Sequence, residues 1–368
     1  MIAGVKMDLA ACFSTDYAGA RDRFLAASAI NGDLQHYSNS NRGPNGELLF
    51  TDTAWFGPRD AGRVLVLVSA THGVEGFCGS GAQLDLLWSG IHRSLPLDTA
   101  LLMVHALNPY GFAWLRRTTE EGVDLNRNGI DFSQPLPKNP GYTELADALV
   151  PKTLSGEEYA ATSRQLEAYR AQYGDHAFEQ ARSGGQYSDP KGIYYGGTSP
   201  TWSMQNLAAI CAANRLDERK SVAVIDYHSG LGPFGYGEPI CGHRPGESGQ
   251  TRCRAWYGGS LGEPLLGTSA SLPIAGLTQY AWARAVGAER LTFIALEFGT
   301  YEFSAGFVAL QADHWLHAYG TVEWSNPITR DIKLRLKKFY YPETTDWTES
   351  VVLRSRQVVG QALAGLSK

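Results

Sequence analysis

The stretch RVLVLVSATHGVEG, residues 63–76, joins a nearly continuous apolar run to a polar, glycine-containing turn. Three further runs share the apolar character: ALLMVHA at residues 100–106, SVAVIDY at 221–227 and LTFIALE at 291–297. Short runs rich in Val, Leu and Ile predict strands that helices cover on both faces. Helical segments lie between them, for example at residues 79–87 and 203–214. The alternation predicts an open, mainly parallel α/β sheet.

The segments outside these runs complete the predicted architecture. A helix is expected at residues 16–27, and two strand-like runs at 34–37 and 48–55 predict an antiparallel hairpin. Residues 133–199 interrupt the strand–helix rhythm with a polar helical stretch and an aromatic, glycine-rich loop. We interpret this stretch as a helical and loop insertion within one metallohydrolase domain, residues 1–368. It is either a lid over the site or a decoration without a role in it.

Composition excludes several classes of partner. Of the 368 residues, 43% are hydrophobic and 19% charged, as in ordinary proteins with a sizeable core. The net charge of -5 gives no basic surface, so nucleic acid is not an expected partner. No apolar run is long enough to span a bilayer, and the N-terminus lacks the apolar core of a signal peptide. With only five cysteines, the chain is expected to be cytoplasmic, with reduced thiols. The number of subunits does not follow from the sequence.

Polar side chains follow three of the predicted buried strands where each strand ends. His72 and Glu75 come after the first run, His228 follows SVAVIDY, and Glu297 ends LTFIALE. In an open α/β sheet, ligands bind beyond the carboxyl ends of the strands. These four side chains are therefore expected to lie close together.

Two histidines and a carboxylate are a donor set that catalytic zinc sites use, with a further position left for water. We interpret His72, Glu75 and His228 as ligands of one zinc ion per chain. Glu297 remains as an uncoordinated carboxylate, the general base that takes a proton from water and passes it to the leaving amine. A lone histidine is more often a core residue, but the four residues together favour the metal interpretation.

A loop-rich region after the run ALLMVHA contributes arginines and asparagines. It reads NPYGFAWLRRT at residues 108–118 and GVDLNRN at 122–128. The planar guanidinium of arginine is suited to bidentate recognition of a carboxylate. An anionic substrate is therefore expected near the metal.

Taken in order, these motifs resemble the zinc carboxypeptidases of the carboxypeptidase A superfamily, and most closely a bacterial carboxypeptidase-like branch. That superfamily shows H-x-x-E, then N-P-D-G with arginine and G-V-D-x-N-R-N, then a lone histidine and a later glutamate, each after a strand. The resemblance spans roughly residues 63 to 300. It implies a single α/β domain with a mixed, mainly parallel eight-stranded sheet flanked by helices. Tyr110 stands where the family usually has Asp, and Gly129 where an aromatic residue often follows.

The resemblance also implies roles for individual residues. His72, Glu75 and His228 match the zinc ligands, and Glu297 matches the general base. Further roles follow by position. Asp124 matches the acid that orients the first ligand histidine. Asn126 and Arg127 match the residues that hold the terminal carboxylate of the substrate. Arg116 or Arg117 matches the arginine that polarises the scissile carbonyl. Asp124 could instead cap a helix, and Asn126 with Arg127 could form a structural corner.

The sequence thus favours a zinc-dependent hydrolase that cleaves an amide next to a free carboxylate, acting on a small peptide or an N-acyl amino acid. One alternative is a small-molecule deacylase that resembles the succinylglutamate desuccinylase and aspartoacylase branch. A non-catalytic zinc or ligand-binding module is a different class, although it has no use for Glu297. The third alternative is a serine hydrolase, because GGSLG at residues 258–262 matches the G-x-S-x-G motif. The run before that motif is a poor buried strand.

Overall fold

A computed structural model of the protein describes residues 9–368. The strands in this part of the chain are β1 (Asp33–Arg42), β2 (Leu48–Phe56), β3 (Arg63–Val68), β4 (Thr99–His105), β5 (Ser221–Ser229), β6 (Gly237–Ile240) and β7 (Leu291–Phe298). The α-helices are α1 (Tyr17–Ser28), α2 (Gly76–Ser89), α3 (Pro109–Ala113), α4 (Leu125–Asn128), α5 (Pro140–Leu149), α6 (Gly156–Ser183), α7 (Trp202–Ala213), α8 (Ser248–Tyr257), α9 (Thr278–Val286), α10 (Phe303–Tyr319), α11 (Pro327–Tyr340) and α12 (Thr345–Leu366).

Within residues 9–368 the strands form one mixed sheet of seven, in the order β1-β2-β4-β3-β5-β7-β6. The central strands β4, β3, β5 and β7 run parallel. The edge strands pair antiparallel, β1 and β2 on one side and β6 on the other. The predicted mixed, mainly parallel α/β sheet and its N-terminal hairpin are confirmed. The expected count of eight strands is wrong, because in the described chain β7 is followed only by helices.

The central strands are covered on both faces, as their apolar runs predict. In β3, Val64 and Val66 belong to one buried cluster, whereas Leu65 and Leu67 belong to another. Helices α7 and α9 supply the first cluster, and α2, α8 and α12 supply part of the second. Because side chains alternate along a strand, adjacent residues of β3 serve opposite faces of the sheet. Both faces of the central sheet are therefore buried under apolar side chains. Polar side chains are accommodated instead at the carboxyl ends of the parallel strands.

Among the helices within residues 9–368, none combines the length and the apolar character needed to cross a membrane.

A buried charged cluster lies between α10 and α11. The Nζ of Lys333 lies 2.5 Å from Asp313 Oδ1, and neither residue is exposed to solvent. Arg116 approaches the other carboxylate oxygen of Asp313, with its Nε at 3.6 Å. Burial alone would raise the pKa of Asp313, but Lys333, His317 and Arg116 outweigh burial and hold it well below its usual value. Asp313 is therefore a buried anion whose charge depends on its partners.

Replacing Asp313 with asparagine is expected to destabilise the fold by about 3–5 kcal/mol, because the buried cation Lys333 loses its anion. Because the folded-state pKa of Asp313 is depressed, its contribution is complete above the unfolded pKa of about 3.9 and is lost as pH falls below it. The deficit of Asp313→Asn relative to wild type should therefore shrink in acid. Urea unfolding at several pH values measures both effects.

The matched control for this measurement is Asp331→Asn. Asp331 pairs with Arg335 on the surface of α11 at 2.8 Å, with both side chains more than half exposed. Its removal should change the free energy of unfolding by less than about 1 kcal/mol. Equal effects of the two substitutions would contradict the account of Asp313 as a buried anion.

Candidate metal centre and its cavity

The polar side chains predicted at the strand ends come from three neighbouring parallel strands. His228 lies near the end of β5 and is paired in register with Glu297 of β7. His72 and Glu75 belong to the turn after β3, where residues 73–75 form one turn of 3-10 helix. Gly73 is required in that turn, because a Cβ atom there would lie 2.0 Å from the backbone carbonyl carbon of Gly111. The sheet and this close approach together fix the four side chains at one edge.

His72, Glu75 and His228 turn their donor atoms towards one point. The two Nδ1 atoms of the histidines lie 3.2 Å apart. Glu75 places Oε1 2.9 Å from His72 Nδ1 and Oε2 3.0 Å from His228 Nδ1. One donor atom from each residue lies within 4.8 Å of the others, and all three residues are buried. Two imidazole nitrogens and a carboxylate at this spacing fit a catalytic zinc ion, which uses His and Glu ligands and keeps a position open.

Each histidine has a second carboxylate behind it. Asp124 Oδ1 lies 3.1 Å from His72 Nε2, and Asp226 Oδ2 lies 3.1 Å from His228 Nε2, although this second pair is not aligned for a hydrogen bond. Thr71 Oγ1 donates to both oxygens of Asp226, at 2.8 and 3.0 Å. At His72 the Asp124 carboxylate favours the tautomer with the proton on Nε2, which leaves the Nδ1 lone pair for a metal, and Arg117 Nη2 lies 2.9 Å from the same Nε2. Asp124 also accepts from the Asn126 backbone N–H at 2.9 Å, so it both caps α4 and faces His72.

The pKa values of the two glutamates of the site are shifted in opposite directions. Burial alone would raise the pKa of Glu75, but His72, His228 and Arg117 outweigh burial and hold it below its usual value. Burial and the nearby Glu75 raise the pKa of Glu297 to about 8. The Leu231 backbone N–H donates to Glu297 Oε1 at 3.1 Å. Glu75 is thus a fixed anion, whereas Glu297 is a carboxyl group that can gain and lose a proton near neutral pH.

The two adjacent arginines point to different places. Arg117 lies at the cluster, with Nη1 2.9 Å from Glu75 Oε1 and Nε 3.0 Å from Asp124 Oδ2. Arg116 turns away towards Asp313 and donates to the Thr119 backbone carbonyl at 3.2 Å. The structure therefore brings Arg117 to the candidate site and leaves Arg116 outside it. The backbone carbonyls of both arginines accept from the turn after His72, at Gly73 and Val74.

Asn126 and Arg127 both line the cavity next to the cluster. Asn126 Oδ1 accepts from the backbone N–H and the hydroxyl of Thr278, at 2.9 Å each. Arg127 donates from Nη1 to its neighbour Asn126 O and from Nη2 to Ser183 O, at 2.9 and 2.6 Å. The Nε of Arg127 is buried with no hydrogen-bond partner within residues 9–368. Part of the guanidinium is thus held by the backbone, and part of its donor capacity remains.

A cavity of about 490 Å³ opens in front of these residues, a volume suited to a small ligand. The predicted site residues in its wall are His72, Glu75, Arg117, Asn126, Arg127, His228 and Glu297. Glu179, Ser183 and Tyr194 also line it, and all three lie in the segment 133–199. This segment therefore contributes to the cavity wall.

The sequence did not identify three further residues of the site: Tyr194, Tyr340 and Asp226. The ring of Tyr194 lies 5.4 Å from the guanidinium carbon of Arg117 and 5.0 Å from that of Arg127. Tyr340 also lines the cavity, and burial raises the pKa of its hydroxyl. Asp226 was open to prediction, because it precedes His228 by two residues on a strand and so shares its face. The tyrosines carry no such local signal.

The rival serine motif at residues 258–262 lacks the setting of a nucleophile. Ser260 ends a short 3-10 helix that directly follows α8, so no strand leads into it. Its hydroxyl donates to the Tyr257 backbone carbonyl at 2.9 Å. A nucleophilic serine of this motif sits on a sharp turn between a strand and a helix. The arrangement is that of a helix end.

Residues 13–354 match the family DUF2817, which is described as a protein of unknown function. The chain belongs to this family. No curated protein matches the chain.

Among solved structures, this DUF2817 chain is similar to bovine thrombin-activatable fibrinolysis inhibitor in complex with tick carboxypeptidase inhibitor. That likeness has 10% identity and a TM-score of 0.42, and it covers 93% of this chain and 98% of the other. A metallo-carboxypeptidase from Burkholderia cenocepacia shares 12% identity at a TM-score of 0.34, with 91% and 69% covered. A protein of the succinylglutamate desuccinylase/aspartoacylase family from Shewanella amazonensis shares 19% at 0.34, with 78% and 71% covered. At these scores, what such proteins cleave does not transfer to this chain.

Proposed function

We propose that this protein is a zinc-dependent hydrolase that cleaves an amide bond next to a free carboxylate, in the manner of a carboxypeptidase. The observation that carries the proposal is the convergence of His72 Nδ1, His228 Nδ1 and the Glu75 carboxylate at the end of a cavity that Glu297 also lines. A buried trio of this donor chemistry beside a spare carboxylate fits metal-assisted hydrolysis. We also propose that residues 1–368 form one domain, with 133–199 as an insertion that closes part of the cavity.

His72, Glu75 and His228 would hold the zinc ion, and Asp124 and Asp226 would orient the two histidines. When bound, zinc supplies Lewis acidity, which makes water more acidic and stabilises negative charge on oxygen. The carboxylates beside the two rings would hold them with Nδ1 turned towards the ion. The donor set of the chain is therefore suited to this ion.

Glu297 would act as the general base. Its carboxylate accepts a proton as water adds its oxygen to the scissile carbonyl carbon. The same proton is then delivered to the leaving nitrogen as the C–N bond breaks, so that the products are a carboxylate and an amine. A pKa raised by burial favours both halves of this exchange, because the group is neither too weak a base nor too weak an acid.

Arg117 and Arg127 would contact different groups of the substrate. Arg117 lies against the metal ligands, where its guanidinium can stabilise negative charge that develops on the scissile carbonyl oxygen. Arg127 lies at the cavity wall, where its Nε has no hydrogen-bond partner among residues 9–368, and Asn126 lies beside it. A buried cation of this kind favours an anionic ligand group, so a free carboxylate near the amide is the expected feature of the substrate.

A small-molecule deacylase acting on N-acyl amino acids is the second candidate. Part of the cavity wall is formed by Glu179, Ser183 and Tyr194 of the insertion. A cavity enclosed in this way favours a small substrate over a long peptide. A panel of peptides and N-acyl amino acids tested with zinc-loaded protein distinguishes the two candidates. A non-catalytic binding module is disfavoured, since it leaves Glu297 without a purpose.

Purified protein is expected to bind about one zinc per chain, and His72→Ala or His228→Ala should lose it because two protein ligands hold zinc poorly. The matched control is His176→Ala, which removes an exposed histidine on α6 and should keep the metal. Elemental analysis after dialysis gives the stoichiometry. Full zinc occupancy in both cluster variants would place the metal elsewhere.

Glu297→Gln should keep zinc and fold while turnover falls by about a hundredfold or more, because an amide cannot accept the proton from water. Glu289→Gln, a substitution of an exposed glutamate just before β7, serves as the control and should leave kcat unchanged. Steady-state rates and zinc content are measured together on each variant. A near-normal rate in Glu297→Gln would mean that another group is the base.

Amidating the free carboxylate of a substrate should lower kcat/KM by about tenfold to a hundredfold, the effect of a charge-assisted contact worth about 1.5–3 kcal/mol. Arg127→Ala should lower activity on the acid and remove the difference between acid and amide. Arg127→Lys should restore only part of it, because lysine lacks the planar fork. Arg335→Ala, on the surface of α11, is the control for the lost charge. Equal cleavage of acid and amide by wild type would refute the role of Arg127.

A further inference from the structure

Helix α10 presents an apolar stripe to the cavity. Phe303, Gly306, Phe307 and Leu310 all line the cavity, and their spacing of three and four residues places them on one side of the helix. Such a stripe normally packs against the core. Here the two phenylalanines are only partly buried and face a space that a ligand can fill. We call these four residues the α10 wall.

The α10 wall is supported from behind. The guanidinium carbon of Arg182, in helix α6, lies 4.5 Å from the ring centre of Phe303 and 4.9 Å from that of Phe307. Gly306 allows the ring of Phe339 to approach, because a Cβ atom there would lie 2.2 Å from that ring. The two phenylalanine rings therefore contact the Arg182 guanidinium of α6, and α10 packs closely on α11 at Gly306.

The α10 wall itself carries no charged side chain. Within residues 9–368, Glu179 is the one charged residue of the cavity lining besides the cluster, Arg117, Arg127 and Glu297. Glu179 is paired with Arg182, with both carboxylate oxygens at 2.5 Å from Nη2, so its charge is compensated within α6. A charged ligand group against the α10 wall would lose its hydration without gaining a partner. An apolar group would instead bury its surface.

We propose that the substrate carries a bulky apolar group, such as an alkyl chain or an aromatic ring, which packs against the α10 wall, and that Phe307 sets this preference. The proposal rests on the hydrolytic function proposed above and names its substrate class. The group belongs either to the acyl half of the amide or to the side chain of the amino-acid half. Both halves meet apolar surface, since Ile240, Phe293 and Ala295 line the cavity along the β6–β7 pair.

Two substrate series on zinc-loaded wild type test the proposal, and both keep the free carboxylate. The first varies the acyl group on glycine from acetyl to hexanoyl, and the second varies the amino acid of an acetyl derivative from glycine to phenylalanine. At least one series should show a preference for the apolar member of about tenfold or more in kcat/KM. Phe307→Ala should reduce that preference by about tenfold, which also identifies the half of the substrate that contacts the wall.

The matched control is Val308→Ala on the same helix. Val308 is 54% exposed and does not line the cavity, so its removal should leave the preference intact. A second variant, Phe307→Trp, adds bulk and should shift the preference to shorter groups, which keeps the test valid if Phe307→Ala fails to fold. Equal preferences in wild type, Phe307→Ala and Phe307→Trp would overturn the role of the α10 wall.

A binding measurement separates this proposal from the hydrolytic one. Reduced-amide ligands, in which CH2 replaces the scissile carbonyl, are titrated into zinc-loaded wild type and Phe307→Ala by calorimetry. N-ethylglycine is compared with N-hexylglycine for the acyl half and with N-ethylphenylalanine for the amino-acid half. Tighter binding of either apolar member to wild type, lost in Phe307→Ala, supports the α10 wall even if no amide is cleaved. Equal affinities in both comparisons overturn it, even if amides are cleaved.

Discussion

A carboxylate that must remain ionised in the interior is the constraint on which the candidate site depends. Glu75 is 1% exposed, and removal of an ionised carboxylate from water is unfavourable unless partners compensate. Compensation comes from two histidines, the Arg117 guanidinium and the Ser229 backbone N–H, which donates at 3.1 Å. These partners come from the turn after β3, the end of β5 and the loop before α4. A single buried charge thus ties together segments that are more than 150 residues apart in the chain.

The same constraint explains the differing environments of the two glutamates. Glu297 lies on the strand next to His228, where it meets the negative charge of Glu75 but has fewer cationic partners. Two buried carboxylates close together do not ionise equally readily. The arrangement therefore pushes their pKa values apart, a separation typical of sites in which one acidic group holds charge and another moves protons.

Much of this organisation was predictable from local sequence pattern. Apolar runs without alternation identify strands buried on both faces, and parallel strands bring their carboxyl ends to one edge. Hence the approach of His72, Glu75, His228 and Glu297 followed from their positions after the runs. The orientations of Arg116 and Arg117 could not be predicted, because the two residues are adjacent and chemically identical. The contact that turns Arg116 away from the site is with Asp313 on α10, about 200 residues later in the chain. The count of eight strands came from resemblance, and the described chain forms seven.

The residues that line the cavity also differ in whether local sequence or distant contacts position them. The four cluster residues His72, Glu75, His228 and Glu297 lie at or just after strand ends, so the order of the sheet fixes their positions. The apolar lining of the cavity comes from α10, where Arg182 of α6 packs on Phe303 and Phe307, and from Ile240, Phe293 and Ala295 of the β6–β7 pair. These helices lie outside the sheet, so substitutions in them can reshape the cavity without displacing the histidines or glutamates. A change of substrate preference is therefore compatible with an unchanged metal cluster, since the α10 wall and the cluster belong to different elements of the fold.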